Sequence, residues 1–489
     1  MDAEEFRIVG HDLVDKVADF LSTLRQRPVT PGESPEQIRK LLGGGSLPEK
    51  GTPAQALFNE VAPLLFDHSL FNGHPRFWAY ITSSAAPIGM LGDLLAAAVN
   101  PNCGMFSLSP VATEIEAQTI RWIAEMIRYP TTGDGVLVSG GNMANFVGFL
   151  AAHNAKTEST AEKDGKALLS VYASTETHTW LQKAVDLFGA GNVVTRWIST
   201  NDSLQIDLRL LRKKIEEDRR TGVNPFLVIG TAGSVSSGAI DPISDLAAIC
   251  REFNIWFHVD GAYGGFAAAL PNVPQDFHNL AEADSVAVDP HKWLYAPLEA
   301  GCALVRDPNS LTRAFSYHPP YYTIAEEGEL PRNYHERGLQ NSRGFRALKI
   351  WLALRQVGRE GYIRMISDDI RLAQELFQRV EANEELQAFT HDLSIVTFRY
   401  VPPDLQSEGS AREEYLNELN TELLTRIQSG GIAYVSNAVL NMKFLLRACI
   451  VNFRTTLSDI DQLPGLTVEL GRKIHAEKKS TFQQKIQTT

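Results

Sequence analysis

Apolar positions near the start of the chain recur at the spacing of one helix face, with charged residues between them. A segment containing Pro and Gly follows, and a second helical pattern runs from about 54 to 66. One such helix cannot bury its apolar side alone, so residues 1–83 are expected to form an N-terminal helical arm that packs on another body, such as a second subunit. The apolar residues of the first pattern are Val9, Leu13, Val17, Phe20 and Leu24.

The pattern changes at about residue 135 to short β-rich runs that alternate with helical ones. Several runs are nearly continuous in apolar residues, which is typical of strands buried on both faces of a mostly parallel sheet. We therefore predict an α/β domain over residues 84–355 with a mostly parallel seven-stranded sheet, and we expect its ligand at the carboxyl ends of the strands. The runs read GVLVSGG, ALLSVYAS, NVVTRWIST, FLVIGTAG, IWFHVDGAYGG, DSVAVDPHKW and GCALVRD.

The last part of the chain, 356–489, has a different pattern. It contains a helical pattern around Leu372 and Leu376, two extended stretches over 393–400 and 444–453, and a polar tail. This mixture predicts a smaller α+β C-terminal domain.

The composition is that of a globular protein, since 44% of the 489 residues are apolar and 21% are charged. A net charge of -12 argues against nucleic-acid binding, which draws on clustered Lys and Arg. The acidic first residues lack the features of a secretory signal and no later run has membrane-spanning length, so we expect a cytoplasmic protein without a membrane partner. The four cysteines form no CxxC pair, which suggests neither a metal site nor a disulfide framework.

A lysine with a histidine beside it follows the strand-like run 284–288, in the sequence Asp-Pro-His-Lys-Trp at 289–293. Desolvation and neighbouring positive charge favour the neutral amine that Schiff-base chemistry requires. An isolated lysine is more often a solvated surface residue, but the apolar runs on both sides of Lys292 argue against that alternative. Lys292 is therefore a candidate nucleophile.

An aspartate, Asp260, ends the apolar run 255–259 and is followed by Gly-Ala-Tyr-Gly-Gly. A carboxylate at the end of a buried strand is costly unless it pairs with a cation. The pyridinium nitrogen of pyridoxal 5'-phosphate (PLP) is such a cation, and a carboxylate there keeps the ring protonated as an electron sink. Because Asp-Gly alone is more often a simple turn, this interpretation depends on the combination with Lys292.

Two further features follow strand-like runs. Ser-Gly-Gly-Asn at 139–142 lies before a helical run, where glycines permit close backbone approach and the helix start offers N–H groups to a phosphate. The turn has no Walker lysine and no GxGxxG pattern, so nucleotide binding is not supported. His178, beyond the run 168–173, could stack on a planar cofactor ring or simply cap the following helix.

With these residues the chain resembles the group II PLP-dependent amino-acid decarboxylases, and within them the aromatic-L-amino-acid decarboxylases. Pro-His-Lys-Trp-Leu at 290–294 is similar to the signature of that family, and the similarity runs from about His74 to the region of Arg447. The resemblance implies the type I, aspartate-aminotransferase-like fold of PLP-dependent transferases. It also implies a homodimer with active sites at the interface.

The resemblance assigns a role to each candidate around the cofactor. Lys292 holds PLP as a Schiff base, Asp260 partners the pyridine nitrogen and His178 stacks over the ring. Ala262 packs against the opposite ring face. The residues implied around the phosphate are Gly140, Gly141, Asn142, Asp289 and His291.

The segment 315–343 combines aromatic, acidic and glycine residues, a composition suited to a mobile lid. Tyr321 matches the loop tyrosine that protonates the carbanion left by CO2 in these decarboxylases, whereas relatives with Phe at this position tend to be aldehyde synthases. The resemblance therefore implies simple decarboxylation to an amine. Tyr322 and Tyr334 are the alternative proton donors.

The resemblance also implies a substrate pocket, whose candidate residues are Phe77, Tyr80, Thr82, Gly104, Ser342 and Arg343. The aromatic members could sandwich an aromatic side chain, or could belong to the core. Gly104 stands where mammalian relatives have a pocket Phe, and Val235 replaces a threonine common near the cofactor. These two departures predict a wider pocket.

The expected reaction is decarboxylation of an L-amino acid, with Tyr, Trp, Phe or Dopa as the expected substrates. An aromatic acetaldehyde synthase and a decarboxylase of a non-aromatic amino acid such as Glu or His are the alternatives. An aminotransferase needs a dedicated arginine for a second acid, and the sequence has no such signature. A non-catalytic scaffold protein is disfavoured by the intact set of Lys292, Asp260 and His178.

Overall fold

In a computed structural model of the protein, the described residues are 1–157, 168–189, 191–317, 332–405 and 408–488, with side chains described as far as Lys478. They form two compact units. The large unit comprises Ala85–Ile370 and His391–Ser394. The small unit comprises Met1–Ser84, Arg371–Thr390 and the described part of Ile395–Thr489.

The helices and strands follow one another along the chain in three groups. The first group is α1 (Ala3–Thr23), α2 (Pro35–Leu42), α3 (Ala54–Asp67) and β1 (Phe77–Trp78). The second group is α4 (Pro87–Val99), α5 (Pro110–Met126), β2 (Asp134–Val138), α6 (Gly141–Thr157), β3 (Leu169–Ser174), α7 (Trp180–Phe188), β4 (Val193–Ile198), α8 (Leu208–Arg220), β5 (Asn224–Thr231), α9 (Ile243–Phe253), β6 (Trp256–Asp260), β7 (Ser285–Val288), β8 (Gly301–Val305) and α10 (Ser310–Phe315). The third group is α11 (Ala347–Glu381), β9 (Leu386–Asp392), β10 (Ile395–Tyr400), α12 (Gly409–Ser429), β11 (Tyr434–Leu440), β12 (Lys443–Cys449), α13 (Leu457–Ile460) and α14 (Gln462–Thr488). No helix among the described residues is long and apolar enough to cross a bilayer.

The large unit is built around a seven-stranded sheet in the order β2-β8-β7-β6-β5-β3-β4. β8 runs antiparallel to both of its neighbours, and the other pairs of neighbouring strands are parallel. The central strands β6 and β7 are buried along their whole length, as expected for a parallel sheet covered by helices. The predicted α/β fold with a mostly parallel seven-stranded sheet is confirmed.

The carboxyl ends of the parallel strands meet at one edge of this sheet. There β3 ends at Ser174, β5 at Thr231, β6 at Asp260 and β7 at Val288. β2 ends at the same edge, and α6 begins directly after it. A ligand site is therefore expected at this edge, because loops after parallel strands enclose a crevice there.

The small unit contains a five-stranded sheet in the order β1-β11-β12-β10-β9. β1 pairs parallel with β11, whereas β12 pairs antiparallel with β11 and β10. Helices α12 and α14 pack against each other and against the sheet. The buried core between these layers includes Trp78, Phe398, Tyr400, Leu419 and Leu446.

The start of the chain packs within the small unit. Phe20 of α1 stacks on Phe66 of α3 with ring centroids 4.6 Å apart. After α1, Arg25 forms an ion pair of 2.7 Å with Asp459, so the first residues are tied to the C-terminal part of the same chain.

The two units divide the chain differently from the three predicted segments 1–83, 84–355 and 356–489. The first 84 residues share a unit with the C-terminal part, and the boundary near 355 lies instead at residue 370, inside α11. A dimerising role for the N-terminal arm stays a prediction.

Candidate active site

Lys292 lies in a tight turn directly after β7. Its backbone N–H donates to the carbonyl oxygen of Asp289 at 2.9 Å, and its Nζ lies 3.1 Å from Asp289 Oδ2. The lysine side chain is only 16% exposed and that of Asp289 only 2%. The turn therefore holds the amine at the strand end, close to a buried counterion.

Asp289 has a second neighbour in the same turn. His291 Nε2 lies 3.6 Å from Asp289 Oδ2, and His291 Nδ1 accepts a hydrogen bond from the backbone N–H of Ala300 at 3.1 Å. Burial lowers the pKa of His291, against the opposing effect of the Asp289 carboxylate. Oδ1 of Asp289 is buried and has no hydrogen-bond partner among the described residues, so it is a group that a ligand can satisfy.

Asp260 is the last residue of β6 and is buried. Its Oδ1 accepts the backbone N–H of Ala262 at 3.1 Å, and its Oδ2 accepts the indole N–H of Trp180 at 2.7 Å. Trp180 is not among the site residues predicted from the sequence. A buried tryptophan at the start of a helix is usually a core residue, and its position two residues after His178 was the only available signal.

A second buried polar group supports this end of the sheet. His258, two residues before Asp260 on β6, is fully buried, and its Nδ1 and Nε2 lie 2.7 Å from Ser285 Oγ and Asn145 Oδ1. Burial lowers the pKa of His258 to about 4. The imidazole is therefore neutral near pH 7, and its hydrogen bonds connect β6 to β7 and α6.

The turn between β2 and α6 requires glycine. Gly140 has a φ of 154°, and a Cβ added to Gly141 would lie 2.8 Å from Asp289 Oδ2. The N–H groups of the first turn of α6 have no helical carbonyl to pair with and form an anion site. The turn is therefore suited to holding a phosphate next to the 289–292 turn.

His178 follows β3 and lies on the rim of the cleft with an exposed side chain. Its Nδ1 accepts the backbone N–H of Trp180 at 3.3 Å. Desolvation lowers the pKa of His178, Asp260 opposes this shift and Lys292 adds to it. The imidazole thus stands neutral at the opening, near both charged candidates.

A cleft of about 320 Å³ lies at this edge of the sheet within the large unit. The predicted cofactor residues that it brings together are Gly140, Gly141, Asn142, His178, Asp260, Ala262, Asp289, His291 and Lys292. The cleft is also lined by residues that the sequence analysis did not assign to the site, namely Ser139, Met143, Asn145, Glu176, Thr231, Gly233 and Tyr263. Thr231 and Gly233 could have been found, because Thr231 ends β5 and Gly233 lies two residues further on. Val235, noted for its departure from the family pattern, lies on the same wall.

The cleft fits the groups of PLP. Lys292 offers an amine for covalent attachment, and Asp260 offers a buried carboxylate for a ring nitrogen. The glycine turn at the start of α6 offers backbone N–H groups to a phosphate, where a larger residue would fill the space.

The predicted substrate residues fall in two places. Phe77, Tyr80 and Thr82 belong to the small unit, where Phe77 is a buried core residue stacked on Tyr434 at 5.5 Å. Tyr80 is 54% exposed, and Thr82 accepts a hydrogen bond from Asn72.

Gly104, Ser342 and Arg343 belong to the large unit but do not line the cleft described above. Ser342 is exposed. Gly104 is packed so closely that an added Cβ would lie 2.2 Å from the carbonyl oxygen of Asn341. A side chain such as Phe therefore has no room there in this arrangement.

Arg343 is occupied by structural contacts. Its guanidinium forms a buried ion pair with Glu116 of α5, with Nη2 2.5 Å from Oε1, and donates further hydrogen bonds to the carbonyl oxygens of Cys103 and Leu137. The Tyr334 ring lies 4.9 Å from the guanidinium carbon. Nη1 and Nη2 of Arg343 are thus occupied by contacts within the protein, and a role of Arg343 in substrate binding stays a prediction.

The predicted proton donor Tyr321 and its alternative Tyr322 lie outside the described residues. Tyr334, the other alternative, is fully buried beside Arg343. It does not line the cleft.

Comparison with known proteins agrees with this site. Residues 35–401 match the model of the pyridoxal-dependent decarboxylase conserved domain. The chain is 32% identical to an aromatic-L-amino-acid decarboxylase of Bacillus atrophaeus over 95% of each chain, and 31% identical to a phenylacetaldehyde synthase of Petunia hybrida over 92% of this chain and 91% of that one. It superposes with a TM-score of 0.87 on the crystal structure of Catharanthus roseus tryptophan decarboxylase in complex with L-tryptophan, which is 27% identical and matches over 97% of this chain and 99% of that one. The protein belongs to the pyridoxal-dependent decarboxylase family, and its cofactor is PLP.

Proposed function

We propose that the protein removes the carboxylate of an aromatic L-amino acid as CO2 and releases the amine, taking up one proton in each turnover. The observation that carries this proposal is the meeting of the Lys292 amine and the buried Asp260 carboxylate in one cleft. The aromatic substrate is supported by the similarity to a decarboxylase of aromatic amino acids and to a tryptophan decarboxylase.

In this proposal Lys292 is the attachment point of the cofactor. Asp289 keeps the Nζ of Lys292 at the strand end. PLP supplies a pyridine ring that accepts the electron pair of the bond between the α-carbon and the carboxylate. Asp260 would hold the ring nitrogen through its carboxylate, which would favour the protonated nitrogen. His178 and Ala262 would hold the ring from its two faces, as the family resemblance implies.

The phosphate is assigned to the turn at the start of α6. Backbone N–H groups of this turn compensate its charge, and His291 adds a polar side chain beside it. The residues of this proposed phosphate site are Gly140, Gly141, Asn142, Asp289 and His291. Asp289 contributes through its hold on Lys292 and His291, because its own charge repels a phosphate.

Tyr321 is assigned the proton transfer on the strength of the family resemblance. Its phenol delivers a proton to the α-carbon after CO2 has left. The balance is one amino acid and one proton consumed for one amine and one CO2 formed.

The main alternative is an aromatic acetaldehyde synthase, which the Petunia hybrida relative favours. The residue at 321 argues against it, because relatives of that type tend to carry Phe where this chain has Tyr. A decarboxylase of Glu or His is the second alternative.

We also propose that the protein acts as a homodimer. Helices in both units carry exposed apolar residues spaced four apart, a pattern that is costly for a protein alone in water. These residues are Leu57, Val61 and Leu65 on α3 and Leu91, Leu95 and Val99 on α4. A cytoplasmic location stays a prediction.

Sedimentation equilibrium tests the dimer. We expect a mass of twice the chain, and a weaker dimer for Leu95→Glu than for the control Leu187→Glu, an exposed leucine of α7. A monomeric protein at micromolar concentration contradicts the proposal.

A panel of L-Tyr, L-Trp, L-Phe, L-Dopa, L-His and L-Glu with amine detection tests the substrate. A clear preference for L-Glu or L-His would contradict the proposal that the substrate is an aromatic amino acid. Tyr321→Phe is expected to keep cofactor binding and divert the product toward aldehyde, whereas the control Tyr317→Phe, at a highly exposed position nearby, is expected to leave the product unchanged. If Tyr321→Phe behaves like the parent enzyme, the donor is another residue, with Tyr322 and Tyr334 next in order.

A further inference from the structure

Trp180 contacts two residues of the cleft at once. Its indole N–H donates to Asp260 Oδ2 at 2.7 Å, and its backbone N–H donates to His178 Nδ1 at 3.3 Å. Trp180 is the first residue of α7 and is fully buried. One residue therefore sets the orientation of both the carboxylate and the imidazole that face the cleft.

The indole ring is itself held in place. It packs edge-on against His258, with ring centroids 5.9 Å apart and an interplanar angle of 81°. His258 cannot move aside easily, because hydrogen bonds to Ser285 and Asn145 fix both of its ring nitrogens. The position of the Trp180 indole N–H is thus fixed by the buried hydrogen bonds of His258 with Ser285 and Asn145.

Among the described residues, each carboxylate oxygen of Asp260 has one hydrogen-bond donor. Ala262 donates to Oδ1 and Trp180 to Oδ2, so the plane of the carboxylate is fixed while Asp260 still lines the cleft. A carboxylate oxygen accepts up to two hydrogen bonds, which leaves capacity for a further donor. Hydrogen bonds to a charged acceptor are stronger than those between neutral groups. Loss of the indole donor is therefore expected to weaken the hold on the Asp260 carboxylate.

We propose that Trp180 is a positioning residue for the pyridine ring of the cofactor. Its indole N–H holds the Asp260 carboxylate, and its backbone N–H holds the His178 imidazole, in the orientation that receives the ring. This proposal rests on the assignment of Asp260 to the ring nitrogen under the proposed function.

Trp180→Phe tests the proposal, because it removes the indole N–H and keeps an aromatic ring and the backbone N–H. The matched control is Trp351→Phe, since the Trp351 indole donates to Gln118 Oε1 at the same distance of 2.7 Å but does not line the cleft. We expect the Trp180→Phe apoenzyme to bind PLP about tenfold more weakly, as for the loss of one hydrogen bond to a charged group. Equilibrium titration of PLP by absorbance measures this, and the Trp351→Phe apoenzyme is expected to match the parent protein.

Two outcomes overturn the proposal. One is an unchanged PLP affinity in Trp180→Phe, and the other is an equal loss of affinity in Trp351→Phe, which would indicate general destabilisation. If Trp180→Phe does not fold, Trp180→Met replaces it, because methionine fills irregular buried space without a donor, and the same loss of affinity is expected.

Asp260→Asn separates this proposal from the proposed function. If Asp260→Asn binds PLP as well as the parent apoenzyme does, the assignment of Asp260 to the ring nitrogen is wrong. If Asp260→Asn weakens binding and Trp180→Phe does not, only the role of Trp180 is wrong. The effects of substitutions at two residues in contact are not additive. With Asp260→Asn already present, adding Trp180→Phe is therefore expected to change PLP affinity less than about threefold. A further tenfold loss would show that Trp180 does not act through Asp260.

Discussion

Lys292 Nζ and Asp289 Oδ2 lie 3.1 Å apart in a turn that the backbone also closes. The aspartate is almost completely buried and the lysine largely so. The lysine head group therefore has a counterion, and it is held at the strand end where the cleft opens.

Lys292→Ala is expected to lower turnover by at least about a thousandfold, because enzymes that lose a residue forming a covalent bond in the reaction lose activity to this extent. Borohydride reduction of the parent holoenzyme should fix the cofactor to the peptide that contains Lys292, as mass spectrometry can show. Lys156→Ala is the control, because Lys156 is a half-buried lysine that donates to Asn254 outside the cleft. Cofactor found on another lysine in the parent enzyme contradicts the assignment.

His258 is expected to make the fold sensitive to acid. Burial lowers its pKa from 6.5 to about 4 in the folded protein. Between these values the unfolded chain binds a proton that the folded chain does not, so stability that is fully present above pH 6.5 is lost as the pH falls toward 4, by up to about 3 kcal/mol.

Urea unfolding of the parent protein and of His258→Gln over this pH range measures the effect. The free energy of unfolding of the variant should depend less steeply on pH, although it is lower near neutrality. An equal slope in both proteins would show that the acid sensitivity arises elsewhere.

Arg343→Met is expected to lower the free energy of unfolding by about 3–5 kcal/mol, because it leaves the buried Glu116 carboxylate without its partner. KM for the substrate should stay unchanged at temperatures where the variant is folded. Arg346→Met, which removes a pair with the half-exposed Glu299, is the control and should cost less than about 1 kcal/mol. A raised KM with unchanged stability would instead support substrate binding by Arg343.

Gly104→Ala is expected to destabilise the protein by about 1–3 kcal/mol, because the new Cβ would lie 2.2 Å from the Asn341 carbonyl oxygen and the backbone must shift. Gly344→Ala is the control, since nothing lies within 4 Å of a Cβ built there. Thermal unfolding of both variants gives the comparison. Equal unfolding midpoints for the two variants would mean that the backbone around Asn341 shifts without a loss of stability.

The fold and most of the cofactor site follow from local sequence patterns. The strand runs are marked by continuous apolar residues, and Asp260 and Lys292 stand directly after two of them. The glycines at 140 and 141 mark a turn in which a side chain would collide with the residues around it. Such features depend on neighbours in the sequence, which is why the sequence alone can predict them.

The contacts that the sequence did not reveal join distant positions. Trp180 donates to an aspartate 80 positions further along the chain, and Arg343 pairs with a glutamate 227 positions before it. Burial of Asp260 follows from the apolar run before it, but nothing next to either carboxylate in the sequence identifies its hydrogen-bond partner. A tryptophan at a helix start and an arginine beside a predicted pocket therefore have more than one interpretation until the tertiary contacts are known.

Release of CO2 from carboxyl-labelled L-Tyr and L-Trp, measured together with the organic product, tests the proposed decarboxylation most directly. We expect labelled CO2 and the corresponding amine in equal amounts from the holoenzyme, and neither from Lys292→Ala. Labelled CO2 accompanied by aldehyde, ammonia and peroxide, or no release of label from any amino acid of the panel, would contradict it.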